Sequence, residues 1–166
     1  ALWAAMIDKF EKDDNMYLLV VELTSNLRRN QRREYYRFSC ALEMCSRSLE
    51  TEEVESVEND QMYSLVPGLP LKQSVIVDIS GGGLRFISEQ KYEEGSLIYC
   101  SYHLLVNGSR KLYELVSKVL EVKPVENRKG VYEHRVQYVN ISEGTREQII
   151  RYIFQEERKN MKKDRF

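Results

Sequence analysis

Apolar and polar residues alternate with a period of two over most of the chain, the pattern of half-buried β-strands. Tyr36, Phe38, Cys40, Leu42 and Met44 fall on one side of an extended segment, with Arg37, Ser39, Glu43 and Arg47 on the other. Val75, Val77 and Ile79 alternate against Ile76, Asp78 and Ser80, and Leu84, Phe86 and Ser88 follow a run of glycines. A segment from Ser96 to Val106 ends at Asn107-Gly108, a strong two-residue hairpin signal, and a strand resumes near Leu112 and runs to about Val122. Pro124 and the polar run Glu126 to Gly130 make another turn before a strand from Val131 to Val139. At least five strands joined by short turns predict a mainly β fold, a small antiparallel β-barrel rather than alternating βαβ units.

The two ends read differently. Ser142 is a helix N-cap with Glu143 in the first turn, and Ile149, Ile150, Ile153, Phe154 and Met161 form one apolar stripe. This predicts a C-terminal amphipathic α-helix packed across one side or mouth of the barrel; dimerisation through the same stripe is the alternative. At the other end, Met16 to Thr24 reads as a strand, Asp13-Asp14-Asn15 as a turn, and Leu2 to Lys12 as the partner strand. Two strands alone are marginal in water, so this hairpin either joins the barrel or ends an upstream domain.

Composition narrows the class. The 166 residues are 42% hydrophobic and 31% charged, enough apolar material for the core of one ordinary domain. No apolar run approaches the roughly 20 residues that span a bilayer, and there is no signal-peptide pattern. Three cysteines, Cys40, Cys45 and Cys100, form no CxxC pair, and His103 and His134 are the only histidines. No metal site is therefore expected, and the thiols read as buried and reduced in a cytoplasmic protein. The net charge of −1, from 25 basic and 26 acidic residues, hides two local features. Five arginines and one acid lie between Arg28 and Arg37, and six acids and no base between Glu50 and Asp60. The acidic run, continuing to Leu71 through Pro67-Gly68 and Pro70, reads as a solvated loop between strands.

No HExxH, Walker loop or GxGxxG after a strand is present, and no Ser/His/Asp set has supporting motifs, so the chain is not read as an enzyme. Binding chemistry is better represented. In Gln31-Arg32-Arg33-Glu34-Tyr35-Tyr36-Arg37, Arg33 and Arg37 share one side of an extended chain about 13 Å apart, and converge if it bends. Guanidinium forks pair bidentately with phosphates and with the O6/N7 edge of guanine. In Asp78-Ile79-Ser80-Gly81-Gly82-Gly83, a carboxylate and a hydroxyl fall on one side of a strand, where the carboxylate matches the N1–H and N2–H donors of guanine. The glycines allow positive φ and close approach of a ligand to the backbone. Each motif alone also has a plain reading, a solvated hinge and a polar turn.

Together they are specific. Arg33-x-x-x-Arg37 ahead of the first barrel strand, then Asp78-x-Ser80-x-x-Gly83 at a strand end, resembles the PilZ domain family at all five signature positions. The Gln-Arg-Arg lead-in and the preceding hairpin further resemble the flagellar-brake type. By that resemblance residues 1–27 are the last hairpin of an upstream barrel domain plus linker, and residues 28–166 the PilZ domain. The resemblance implies binding of cyclic di-GMP without turnover or cofactor, at Arg32, Arg33, Arg37, Asp78, Ser80, Gly82 and Gly83. It also implies that an Arg-bearing segment closes on the ligand, and a protein target such as a flagellar motor or switch component. Arg32 lies outside the five signature positions and is expected to reach a second, stacked ligand. Two readings compete: a degenerate barrel serving only as a protein-interaction module, and a small barrel binding single-stranded nucleic acid. The near-neutral total charge disfavours binding of a nucleic acid polymer.

Overall fold

The computed structural model describes residues 4–12, 16–24, 33–59 and 64–163. The chain divides into two compact units, residues 1–34 and 35–166. In the first, β1 (Ala4–Lys12) and β2 (Met16–Leu23) pair antiparallel from Ala4 opposite Leu23 to Lys12 opposite Met16, with a bulge between Met6 and Asp8. The expected turn at Asp13 to Asn15 lies outside the described residues.

The second unit carries β3 (Phe38–Ser48), α1 (Thr51–Asn59), β4 (Lys72–Ser80), β5 (Gly83–Ser88), β6 (Leu97–Val106), β7 (Ser109–Pro124), β8 (Tyr132–Tyr138) and α2 (Glu143–Lys163). Its six strands close into a barrel in the order β3-β4-β5-β8-β7-β6, antiparallel throughout, with β3 pairing back onto β6. The expected barrel with a C-terminal helix is thus the observed fold. Asn107 and Gly108 turn the β6–β7 hairpin with φ of 52° and 79°, the pair of positive values a type I′ turn requires. The interior is filled by Met44, Ile76, Ile79, Phe86, Tyr102 and their neighbours, and the hydroxyls of Tyr102 and Tyr138 meet at 2.8 Å within it.

Four expectations about the elements and their faces are corrected. Tyr36 precedes β3 and is exposed, so the inward run begins at Phe38. In β4, Ile79 points inward as expected, but Ile76 is buried and Val75 exposed, the reverse of the expected faces. The cause is irregular register on both sides of Val77, against β3 between Ser39 and Leu42 and against β5 between Ile76 and Asp78. One extra residue moves every later side chain to the other face. In α2 the buried residues are Ile149, Tyr152 and Ile153, while Phe154 and Met161 stay exposed. Tyr152 meets Phe38 edge-on at 6.5 Å, so the packed face is rotated toward a tyrosine that an aliphatic count overlooks. Ser142 caps this helix as expected, its Oγ accepting the Thr145 N–H at 3.2 Å. Of the thiols, Cys100 is buried and Cys40 and Cys45 only partly so.

The fourth correction concerns the acidic run, which opens with helix α1 rather than a loop. Arg47 does lie on the outer face of β3, opposite Tyr99 of β6, but α1 covers both. Arg47 bonds through Nη1 and Nη2 to the two oxygens of Glu53 at 2.7 and 2.6 Å, and lies 5.3 Å from the Tyr99 ring centre. The same carboxylate accepts the N–H groups of Glu50 and Val66. These bonds, Arg47 first, hold Glu53 down at about 2. An acid with four donors need not be solvated, so α1 packs onto the barrel.

His134 is wholly buried, stacked on Phe86 at 4.7 Å, and its Nε2 accepts the Tyr92 N–H. Burial pushes it from 6.5 to about 4. Folding therefore excludes a proton that the unfolded chain binds, and the stability it contributes is complete above pH 6.5 and lost as the pH falls toward 4. The loss is about 3 kcal/mol over that window. Urea unfolding of wild type and His134→Phe at pH 7 and pH 4.5 checks this, with a markedly smaller pH effect expected in the variant.

Candidate functional site

The turn joining β4 to β5 gathers four of the expected site residues. Asp78 and Ser80 end β4, Gly81 and Gly82 form the turn, and Gly83 opens β5. Phe38 pairs with Ile79, so the exposed Arg37 emerges at the Ser80 end of β4. Arg33 is exposed and belongs to the first unit, four residues earlier in sequence. Arg32 lies outside the described residues.

Ser80 does not form the exposed platform expected of it. It is buried, its hydroxyl donates to the Gly83 carbonyl at 3.0 Å, and it accepts the Gly82 N–H at 3.3 Å. It braces the turn. The glycines also serve a different purpose from the one expected, since none of the three has a positive φ. Their need is space. A Cβ on Gly81 would meet the Tyr35 ring at 2.8 Å and Ile150 of α2 at 2.9 Å, and one on Gly82 would meet Tyr35 at 3.0 Å. The face expected to admit a ligand is covered here by Tyr35.

Gly83 is the tightest of the three. A Cβ there would fall 2.1 Å from the Val136 carbonyl oxygen of β8 and 3.0 Å from Gln137 Cα. Both are backbone atoms and cannot step aside as a side chain would. Gly83→Ala is expected to destabilise the barrel by about 1–3 kcal/mol, the range for overpacking. A urea midpoint equal to that of wild type would contradict this.

Sequence reasoning missed two features of the site. Arg85, opposite Asp78 in the β4–β5 register, donates from Nε to Asp78 Oδ2 at 2.6 Å and from Nη1 to both oxygens of Glu133 at 3.3 Å. Alternation marks Arg85 as outward, but its partner is set by a register that follows a bulge. The negative Asp78 in turn adds to burial in pushing the Cys40 thiol up to about 11, so Cys40 stays protonated. The second feature is the hold of α2 on the segment before β3. Arg146 donates from Nη1 to the Tyr35 hydroxyl and lies 5.2 Å from its ring centre, while the Glu157 carboxylate, with burial, pushes the Tyr36 hydroxyl up.

Chemically the site offers carboxylate acceptors and guanidinium donors on the outer surface of the barrel. His134 points into the interior and is no base for it. Among the described residues no group of three or more His, Cys, Asp or Glu side chains could hold a metal ion, and no helix is long and apolar enough to cross a membrane.

A family model described as "PilZ domain" matches residues 28–155. No curated protein matches the sequence. Among solved structures, the chain is similar to the Bacillus subtilis inhibitor of motility MotI/DgrA, with a TM-score of 0.66 at 15% identity, covering 93% of this chain and 65% of that one. It is similar to Escherichia coli YcgR in complex with c-di-GMP, with a TM-score of 0.56 at 16% identity, covering 95% of this chain and 59% of that one. The PilZ domain of YcgR with c-di-GMP gives a TM-score of 0.53 at 17% identity, with 81% of this chain and 98% of that one covered. At these identities the likeness is one of fold, and the chain spans less than two thirds of the length of the first two.

Proposed function

Since the chain belongs to the PilZ domain family, we propose that it is a cytoplasmic receptor for cyclic di-GMP that binds the dinucleotide without chemical turnover. The observation that carries this reading is the Asp78 carboxylate fixed on the outer barrel surface beside the turn, with Arg37 emerging at the same strand end. In this reading Arg32, Arg33 and Arg37 grip phosphates and guanine edges, Asp78 accepts from N1–H and N2–H, and Ser80, Gly82 and Gly83 shape the turn beneath the ligand. Arg33 and Arg37 flank Tyr35, which Arg146 of α2 holds, so capture of the ligand reorders that segment and alters contacts with a protein target. A role in motility is supported by the likeness to a protein described as an inhibitor of motility. The target proposed is a flagellar motor or switch component.

Isothermal titration calorimetry with cyclic di-GMP tests this reading. Binding at two ligands per chain is expected, falling to one in Arg32→Leu, because the planar guanidinium of Arg32 is positioned in sequence to serve a second, stacked ligand. Asp78→Ala is expected to lose affinity and most of the preference for cyclic di-GMP over cyclic di-AMP. Absence of any heat with cyclic di-GMP would reject the receptor reading. One ligand per wild-type chain would reject only the stacked dimer.

A further inference from the structure

The pairing edge of guanine presents two donors and one acceptor in a row: N2–H, N1–H and O6. A carboxylate accepts from the first two and can do nothing for the third. Complete recognition needs an N–H donor held beside the carboxylate, and the β4–β5 register supplies one. Asp78 and Arg85 are cross-strand partners, and their side chains meet through Nε and Oδ2 at 2.6 Å.

The form of that contact matters. Arginine commonly grips a carboxylate with two parallel N–H groups, which would occupy both oxygens. Here Arg85 touches Asp78 through Nε alone, while its Nη1 donates to Glu133 at 3.3 Å. Among the described residues neither Asp78 Oδ1 nor Arg85 Nη2 has a hydrogen-bond partner, and the Arg85 side chain is 40% exposed. The pair therefore offers acceptors and a donor side by side on the surface.

We propose that Arg85 is a specificity residue of this site, donating from its guanidinium to guanine O6 while Asp78 accepts from N1–H and N2–H. Together they present the acceptor, acceptor, donor edge that cytosine presents to guanine. The inference rests on the cyclic di-GMP reading above and deepens it. Adenine is rejected twice: its N1 lone pair would face Asp78, and its N6–H₂ would face the Arg85 donor.

The test uses the full chain and three probes: cyclic di-GMP, cyclic di-AMP, and the inosine-based cyclic dinucleotide, which keeps N1–H and O6 but lacks the N2 amine. Arg85→Leu is expected to weaken cyclic di-GMP about ten-fold without weakening cyclic di-AMP, so that the preference shrinks about ten-fold or more. Arg85→Gln, which keeps an N–H donor, should retain part of the preference, and it carries the test if the leucine variant does not fold. In Asp78→Ala the inosine ligand should still be preferred over cyclic di-AMP several-fold, and adding Arg85→Leu should erase that residue of preference. Equal weakening of cyclic di-GMP and cyclic di-AMP, or an unchanged preference, in the Arg85 variants would overturn the assignment while leaving the receptor reading intact. Failure of wild type to bind any cyclic dinucleotide would overturn that reading and this inference with it.

Discussion

Cyclic di-GMP binding is expected to fall about a hundred-fold or more when Arg33 and Arg37 are both replaced by alanine, and about ten-fold or more with either alone. The magnitude follows from what each guanidinium contributes. A hydrogen bond to a charged group adds roughly 1.5–3 kcal/mol, and about 1.4 kcal/mol corresponds to a factor of ten. Both side chains are exposed, and neither belongs to the barrel core, so the fold is not at stake. Calorimetric titration of the two single variants and the double reads the loss directly, while an unchanged urea midpoint separates lost binding from lost structure. Affinity equal to wild type in the double variant would move the site away from this segment.

The largest loss of stability is expected from Glu53→Ala. The substitution removes four hydrogen bonds and leaves the Arg47 guanidinium, 8% exposed, without its counter-charge. Breaking a buried pair from one side costs about 3–5 kcal/mol, because the remaining charge cannot regain water. The backbone N–H of Val66 loses its acceptor too, so the segment after α1 should open with it. Urea unfolding reads the change, and a loss under about 1 kcal/mol would show that water reaches Arg47 once Glu53 is gone. Replacing both partners by apolar residues should recover much of the loss, since no orphaned charge then remains.

The contrast between Glu53 and Asp78 shows what the sequence made legible. The strands could be read because a barrel strand has one wet and one dry face, and alternation records that directly. Where a bulge interrupts the alternation, as at Val77, the faces exchange and the reading of Val75 and Ile76 inverts. Helix α1 was hidden because its composition is that of a solvated run; only the spacing of Val54 and Val57 and the lone Arg47 outside it carried a signal. The site residues came from two motifs lying some forty positions apart, and the β3–β4 pairing brings Arg37 and Ser80 to one strand end. The bracing role of Ser80, the steric need at Gly83 and the Arg85 contact were beyond reach. Each depends on atoms of a neighbouring strand or of the turn itself, and a sequence does not display its own register.

The closure of β3 onto β6 restricts how any other protein can take hold of this unit. An open sheet ends in a strand whose N–H and C=O groups invite a further strand, from a partner or from a second copy. In the barrel every strand has a neighbour on both sides, so strand addition is closed to partners and to aggregation alike. Recognition must then read side chains, on the barrel surface or along the exposed side of α2 at Phe154 and Met161. Such recognition responds to small rotations of those side chains, whereas a partner added as an extra strand would sense little but the presence of the edge.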